Sequence, residues 1–76
     1  MARVSEMTRI VYNGQLAAVV IADQAILTDP LSAEDEWTVK AMCLYALEID
    51  AGIRPGPYTD EHALAYAQDA QRQSRA

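Results

Sequence analysis

The sequence predicts an α+β fold in a single domain spanning residues 1–76. A β-hairpin (8–21) leads into a short helical turn (23–28), a central helix (33–51) and a C-terminal helix (60–72), and the body is expected to be dimeric. Three observations carry this reading. An Asn13-Gly14 pair stands between two runs rich in β-branched residues. A capped and almost wholly apolar run follows Ser32. A stripe of alanines follows Thr59.

The hairpin comes first. Asn-Gly supplies the two positive φ values of a type I′ turn. Val11, Val19, Val20 and Ile21 suit strands. The rival reading makes residues 15–27 a helix, because LAAVVIADQAIL also has helical spacing. Three consecutive β-branched residues beside the turn outweigh it. A two-residue loop then sets Tyr12 against Gln15, Val11 against Leu16, Ile10 against Ala17, Arg9 against Ala18 and Thr8 against Val19. That register puts Tyr12, Ile10, Ala17, Val19 and Ile21 on one face, and Val11, Leu16, Met7 and Val20 on the other. Both faces are largely apolar. A lone two-stranded ribbon is barely stable, so the hairpin must pack or pair further. Residues 22–28 read as a short helix or turn with Asp23 as cap, and Pro30 breaks the pattern.

The central helix is the firmest element. Ser32 caps it, with Asp35 at the capping-box position. Glu34, Asp35 and Glu36 complement the helix dipole. Glu36 and Lys40 stand four apart, acid first. Gly52 fits a left-handed stop, and Pro55 follows. At 100° per residue, Val39, Met42, Cys43, Ala46 and Ile49 form one face, and Trp37, Ala41, Leu44, Leu47 and Ala51 lie mostly opposite. A helix apolar nearly all round is normally buried, and a short chain has little with which to cover both sides. One face is therefore expected to pack internally and the other to meet a second copy or a partner. The alternative is that flanking elements cover both. Trp37, Ala41, Leu44, Leu47, Tyr45 and Tyr66 are the candidate interface residues.

Two prolines around Gly56 make a stiff connector. Thr59 then caps the last helix, with Asp60 and Glu61 in its first turn. Tyr58 stands where it can staple against Ala63. Ala63, Tyr66, Ala67 and Ala70 make a small-residue stripe that allows close approach to the central helix. A loose tail is expected from Gln73 onward.

At 76 residues, 51% of them apolar, the chain is near the lower limit for a self-sufficient core. Its single cysteine allows no internal disulfide, and no Cys/His cluster suits a zinc. Association is the remaining route to stability. The net charge of −5 opposes non-specific binding to nucleic acid. Arg3 and Arg9 are the only basic residues before Lys40 and the only candidate phosphate contacts. Glu6 interrupts any basic lead and the apolar run 16–22 is short, which does not suit a signal peptide. No stretch is long enough to span a bilayer. The expectation is a cytoplasmic protein.

No residue pattern names a reaction. His62 stands in a first helical turn with no nucleophile beside it. Cys43 falls on an apolar face, where burial makes a thiol inert. Glu34, Asp35 and Glu36 point in different directions and do not converge on one ion. Trp37, Tyr45, Tyr58 and Tyr66 suit a core or an interface. Arg54 reads as part of a plain connector. The expectation is no enzyme, no cofactor and no metal.

The hairpin segment RIVYNGQLAAVVIADQAI, residues 9–26, resembles the strand–turn–strand of Phd/YefM-type antitoxins. Asn13-Gly14, Ala17 and Ala18, Val19-Val20-Ile21 and Asp23 carry the resemblance. It implies a dimeric hairpin-plus-helix body and a C-terminal part that binds and neutralises a toxin. The family's helical segment before the hairpin is not matched, and no DNA-contacting residue is carried over. The first functional expectation is thus a small non-enzymatic regulatory protein, antitoxin-like or inhibitor-like, that binds a protein partner through an apolar helical surface. The alternatives are a dimeric DNA-binding regulator and a structural or accessory subunit of a phage or mobile-element assembly.

Overall fold

Asn13 and Gly14 both take positive φ, 55° and 75°. They join β1 (Met7–Tyr12) to β2 (Gln15–Ile21) in the expected hairpin. The structure is a computed structural model and describes residues 7–21, 24–28 and 31–75.

The expected register holds only next to the turn. Tyr12 faces Gln15 and Val11 faces Leu16, but Ile10 faces Ala18, Arg9 faces Val19 and Thr8 faces Val20. Ala17 is therefore an extra residue in β2, a β-bulge. The bulge exchanges the faces read from the uninterrupted register. Ala18 and Val20 now join Ile10 in the interior, while Val19 and Ile21 point the other way. Thr28 anchors the irregular stretch. Its N–H donates to the Ala17 carbonyl at 3.0 Å, and its Oγ1 donates to the Leu16 carbonyl at 2.9 Å.

The short helix expected over 23–28 is instead a strand, β3 (Gln24–Leu27), paired antiparallel to β2. The sheet has the order β1-β2-β3. The physical reason is the free edge of β2. A helix this short bears the whole nucleation cost and gains few hydrogen bonds, whereas the same residues complete a ladder. Asp23, the cap expected for that helix, lies outside the described residues.

Two helices follow. In α1 (Ala33–Asp50) the Asp35 N–H donates to Ser32 Oγ at 3.2 Å, and Gly52 takes φ 79° beyond the C-terminus. Lys40 pairs with Glu36 at 2.9 Å. In α2 (Asp60–Arg75) the His62 N–H donates to Thr59 Oγ1 at 3.2 Å. This helix runs past the expected end at 72. Gln71, Arg72 and Gln73 are good helix formers, and Asp69 accepts from both Arg72 and Gln73.

Both helices pack on one face of the sheet. The core is Ile10, Ala17, Ala18 and Val20 from the sheet, Val39, Met42, Cys43 and Ala46 from α1, and Ala63 and Ala67 from α2. The expected inner face of α1 is thus the buried one, and the alanine stripe of α2 lies where expected. Half of this core is alanine. Two side-chain hydrogen bonds tie the layers. Tyr12 Oη donates to Asp35 at 3.1 Å, and the Val11 N–H on the outer edge of β1 donates to Asp60 at 3.1 Å. The molecule measures 46 × 27 × 18 Å. Its least dimension leaves room for one sheet and one layer of helices, since packed layers lie about 10 Å apart.

Candidate functional site

The small core has a counterpart on the surface, where several larger apolar side chains stand exposed. Trp37 is 40% exposed and Leu44 is 47% exposed. With Lys40, Ala41, Tyr66 and Ala70 they line a groove of about 340 Å³ between α1 and α2. Trp37 also borders a second hollow of about 350 Å³, completed by Ala33, Glu34, Gln71 and Ser74. The indole is therefore a ridge between two depressions at the start of α1 and the end of α2.

Local sequence explains this exposure. Trp37, Ala41 and Leu44 recur at four and three residues, so they share one stripe. The opposite stripe, Val39, Met42, Cys43 and Ala46, is taken by the sheet and by α2. The alanines of α2 bring the two helices close but are too short to roof over an indole. Of the six expected interface residues, the structure gathers Trp37, Ala41, Leu44 and Tyr66 in the groove. Leu47 and Tyr45 are half-buried against the core and do not line it.

Tyr45 belongs to a second feature, built on Arg54 of the segment expected to be a plain connector. The Arg54 guanidinium carbon lies 4.9 Å from the Tyr45 ring centroid and 4.8 Å from that of Tyr66. Its Nε and Nη2 both donate to Glu48 Oε1, at 3.0 and 2.7 Å. That bond favours the charged guanidinium and raises its pKa. Tyr45 also packs on Tyr58, with centroids 6.2 Å apart. Tyr58 Oη donates to Asp60 at 2.9 Å. Burial first, and then that carboxylate, push the Tyr58 phenol far above its ordinary value. This knot clamps the connector between the helices. Gly56 completes it, because a Cβ there would come within 2.8 Å of Ile49 Cγ2.

The third surface is the side of the sheet away from the helices. Met7, Val11, Leu16, Ile21 and Ile26 are all exposed there. Arg9 is exposed on the same face and is the only charged residue in the three strands. It therefore stands alone among apolar neighbours. Arg3, the other expected phosphate contact, lies outside the described residues.

The remaining candidates fall as follows. Cys43 is buried, and burial pushes its thiol pKa up, away from the reactive thiolate. His62 is exposed at the start of α2. Among the described residues no group of acids, cysteine and histidine is placed to hold a metal ion. Among them, too, no helix is long and apolar enough to cross a membrane. The acids of the described residues are all on the helices: Glu34, Asp35, Glu36, Glu48 and Asp50 on α1, and Asp60, Glu61 and Asp69 on α2. Among the described residues the charge is thus polarised, with an acidic helical layer and three strands whose one charge is Arg9. Comparison of the chain with protein-family models, with curated proteins and with solved structures gives no match.

Proposed function

We propose that this chain is a small non-catalytic regulatory protein, antitoxin-like or inhibitor-like, whose helical layer docks on a basic protein. One observation carries the reading. A tryptophan and a leucine stand exposed over a groove, while half of the core beneath is alanine. Exposed aromatic anchors beside a pocket are the usual hot spots of protein interfaces. The two helices that form the groove carry every acid of the described residues. Although the groove's own charged residue is Lys40, paired with Glu36, the layer as a whole would steer a basic partner toward it. The resemblance of residues 9–26 to the antitoxin hairpin points the same way. A surface that tracks nucleic acid needs several phosphate contacts, and the strands offer only Arg9, so a protein partner is the better reading.

The test uses purified basic proteins encoded beside this chain's gene, titrated against the wild type and against Trp37→Asp and Leu44→Asp. We expect one such protein to bind the wild type and to bind either variant at least a hundredfold more weakly, with helical content unchanged. Truncating a central anchor typically costs more than about 2 kcal/mol, and an added buried charge costs more. Equal binding by all three proteins, or a complete lack of binding by the wild type, contradicts the reading.

A further inference from the structure

We infer that the helix-free face of the sheet is a self-association surface, on which a second copy of this chain packs sheet to sheet. This goes beyond the partner site on the helices and does not depend on it.

The face is set by the register. Met7, Arg9 and Val11 of β1, Leu16, Val19 and Ile21 of β2, and Gln24 and Ile26 of β3 point away from the helices. Ile26 is 50% exposed and Met7 48%. Soluble monomers seldom leave such a contiguous apolar patch open. The flat footprint follows from sheet geometry. Three strands about 4.8 Å apart and about 20 Å long cover roughly 300 Å². The accessible area of a pleated face is larger than its projection. Two copies then bury an area near the lower bound of specific interfaces, about 1,000 Å² in total. That size predicts a dimer that dissociates on dilution.

Charge selects the occupant. Every acid among the described residues lies on the helices, so two copies approaching helix to helix bring like charges together. Approach sheet to sheet keeps the acidic layers on the outside, as far apart as the pair allows. A basic partner, by contrast, would meet Arg9 on this face and the acids on the other. The sheet face therefore suits an apolar face of the same shape that brings no further cation, and among the described residues the same face of a second copy, with Arg9 its one charge, offers that match.

Symmetry accommodates Arg9. Aligned sheets pack with their strands about 30° apart. A two-fold axis running along β2 lays β1 of one copy over β3 of the other. Arg9 and Ile26 share one row across the sheet, both beside Val19. Arg9 then extends its aliphatic stem over Ile26 of the other copy instead of meeting a second Arg9. Edge-to-edge pairing is less well served. The Val11 N–H on the β1 edge is already taken by Asp60, and β3 offers only four residues.

Sedimentation equilibrium from about 1 to about 500 µM tests this, a range that brackets the weak association expected of an interface this small. The wild type should move from 8.4 kDa toward twice that mass as concentration rises. Ile26→Lys, at an exposed edge position, should weaken the dimer at least tenfold and leave the fold intact by circular dichroism. Val19→Lys should do the same. Leu44→Asp, on the helical layer, should leave the dimer unchanged. A wild type that stays at 8.4 kDa throughout overturns the inference. So does a dimer that Leu44→Asp abolishes, or one that both sheet variants leave untouched, which would point to edge pairing. Partner binding on the helices is read separately, so the two proposals can fail independently.

Discussion

Met42→Ala is expected to remove most of the stability of this fold, about 3 kcal/mol. Met42 is fully buried and is one of four fully buried large side chains, with Ile10, Val39 and Cys43. Its neighbours include several alanines, which have no side-chain reach with which to fill a void. Buried methionine-to-alanine changes cost about 2–5 kcal/mol, with the higher values where the site cannot collapse. A core of this size seldom supplies more than about 3–5 kcal/mol in total. The variant should therefore populate the unfolded state at 25 °C in water. Urea denaturation of dilute protein measures this directly. Met7→Ala is the control, because Met7 is 48% exposed and its loss should change stability by no more than about 0.5 kcal/mol. Equal losses at both positions would mean that the two methionines do not differ in burial.

Ala67→Leu is expected to destabilise by about 1–3 kcal/mol, through crowding instead of a void. Ala63 and Ala67 are fully buried one turn apart on α2. They set how closely α2 approaches α1. A leucine at position 67 must push the helices apart or distort its own rotamer, and the Arg54 knot resists that separation at the connector end. Ala65→Leu, on the exposed side of the same helix, should be neutral. The shift in urea midpoint, with an unchanged slope, distinguishes the two. Stabilisation by Ala67→Leu would show unfilled space between the helices.

Much of this fold is legible in the residues, and the reasons are local. Asn13-Gly14 announces the hairpin because few other pairs accept two positive φ values. Ser32, the three acids after it and Gly52 mark both ends of α1. Thr59 marks the start of α2. What escaped sequence reading depends on pairing across the chain. Gln24–Leu27 has no strong intrinsic preference, and the open edge of β2 decides it. The bulge at Ala17 is invisible for a related reason. Two adjacent alanines give no side-chain signal for which of them faces Ile10, yet the choice moves Val19 and Ile21 to the open face. The helix-forming Gln71, Arg72 and Gln73 carry α2 past the end expected at 72.

The candidate site divides in the same way. The stripe of Trp37, Ala41 and Leu44 follows from helical spacing, and the groove confirms their common side. Tyr66 joins them because the two helices run antiparallel. Tyr45 was separated from that group by Arg54, a residue whose role depends on two rings and a carboxylate meeting from three segments. Lys40, which with Ala70 completes the groove, carries no apolar signal to mark it, and Ala70 is marked only as part of the stripe that approaches the central helix. The apolar character of both hairpin faces was readable and was the one hint of the sheet surface.

The central claim is that half of the core is alanine while several large apolar side chains, Met7, Ile26, Trp37 and Leu44 among them, are left exposed for contact. Hydroxyl-radical footprinting read by mass spectrometry tests it most directly, because methionine and tryptophan oxidise readily where solvent reaches them. In dilute protein Met7, Trp37 and Leu44 should label fast, and Met42 and Cys43 slowly. Raising the concentration should protect Met7 while leaving Trp37 reactive. If Met7 and Trp37 prove as protected as Met42 in the dilute monomer, the chain hides its apolar surface by itself and the account is wrong.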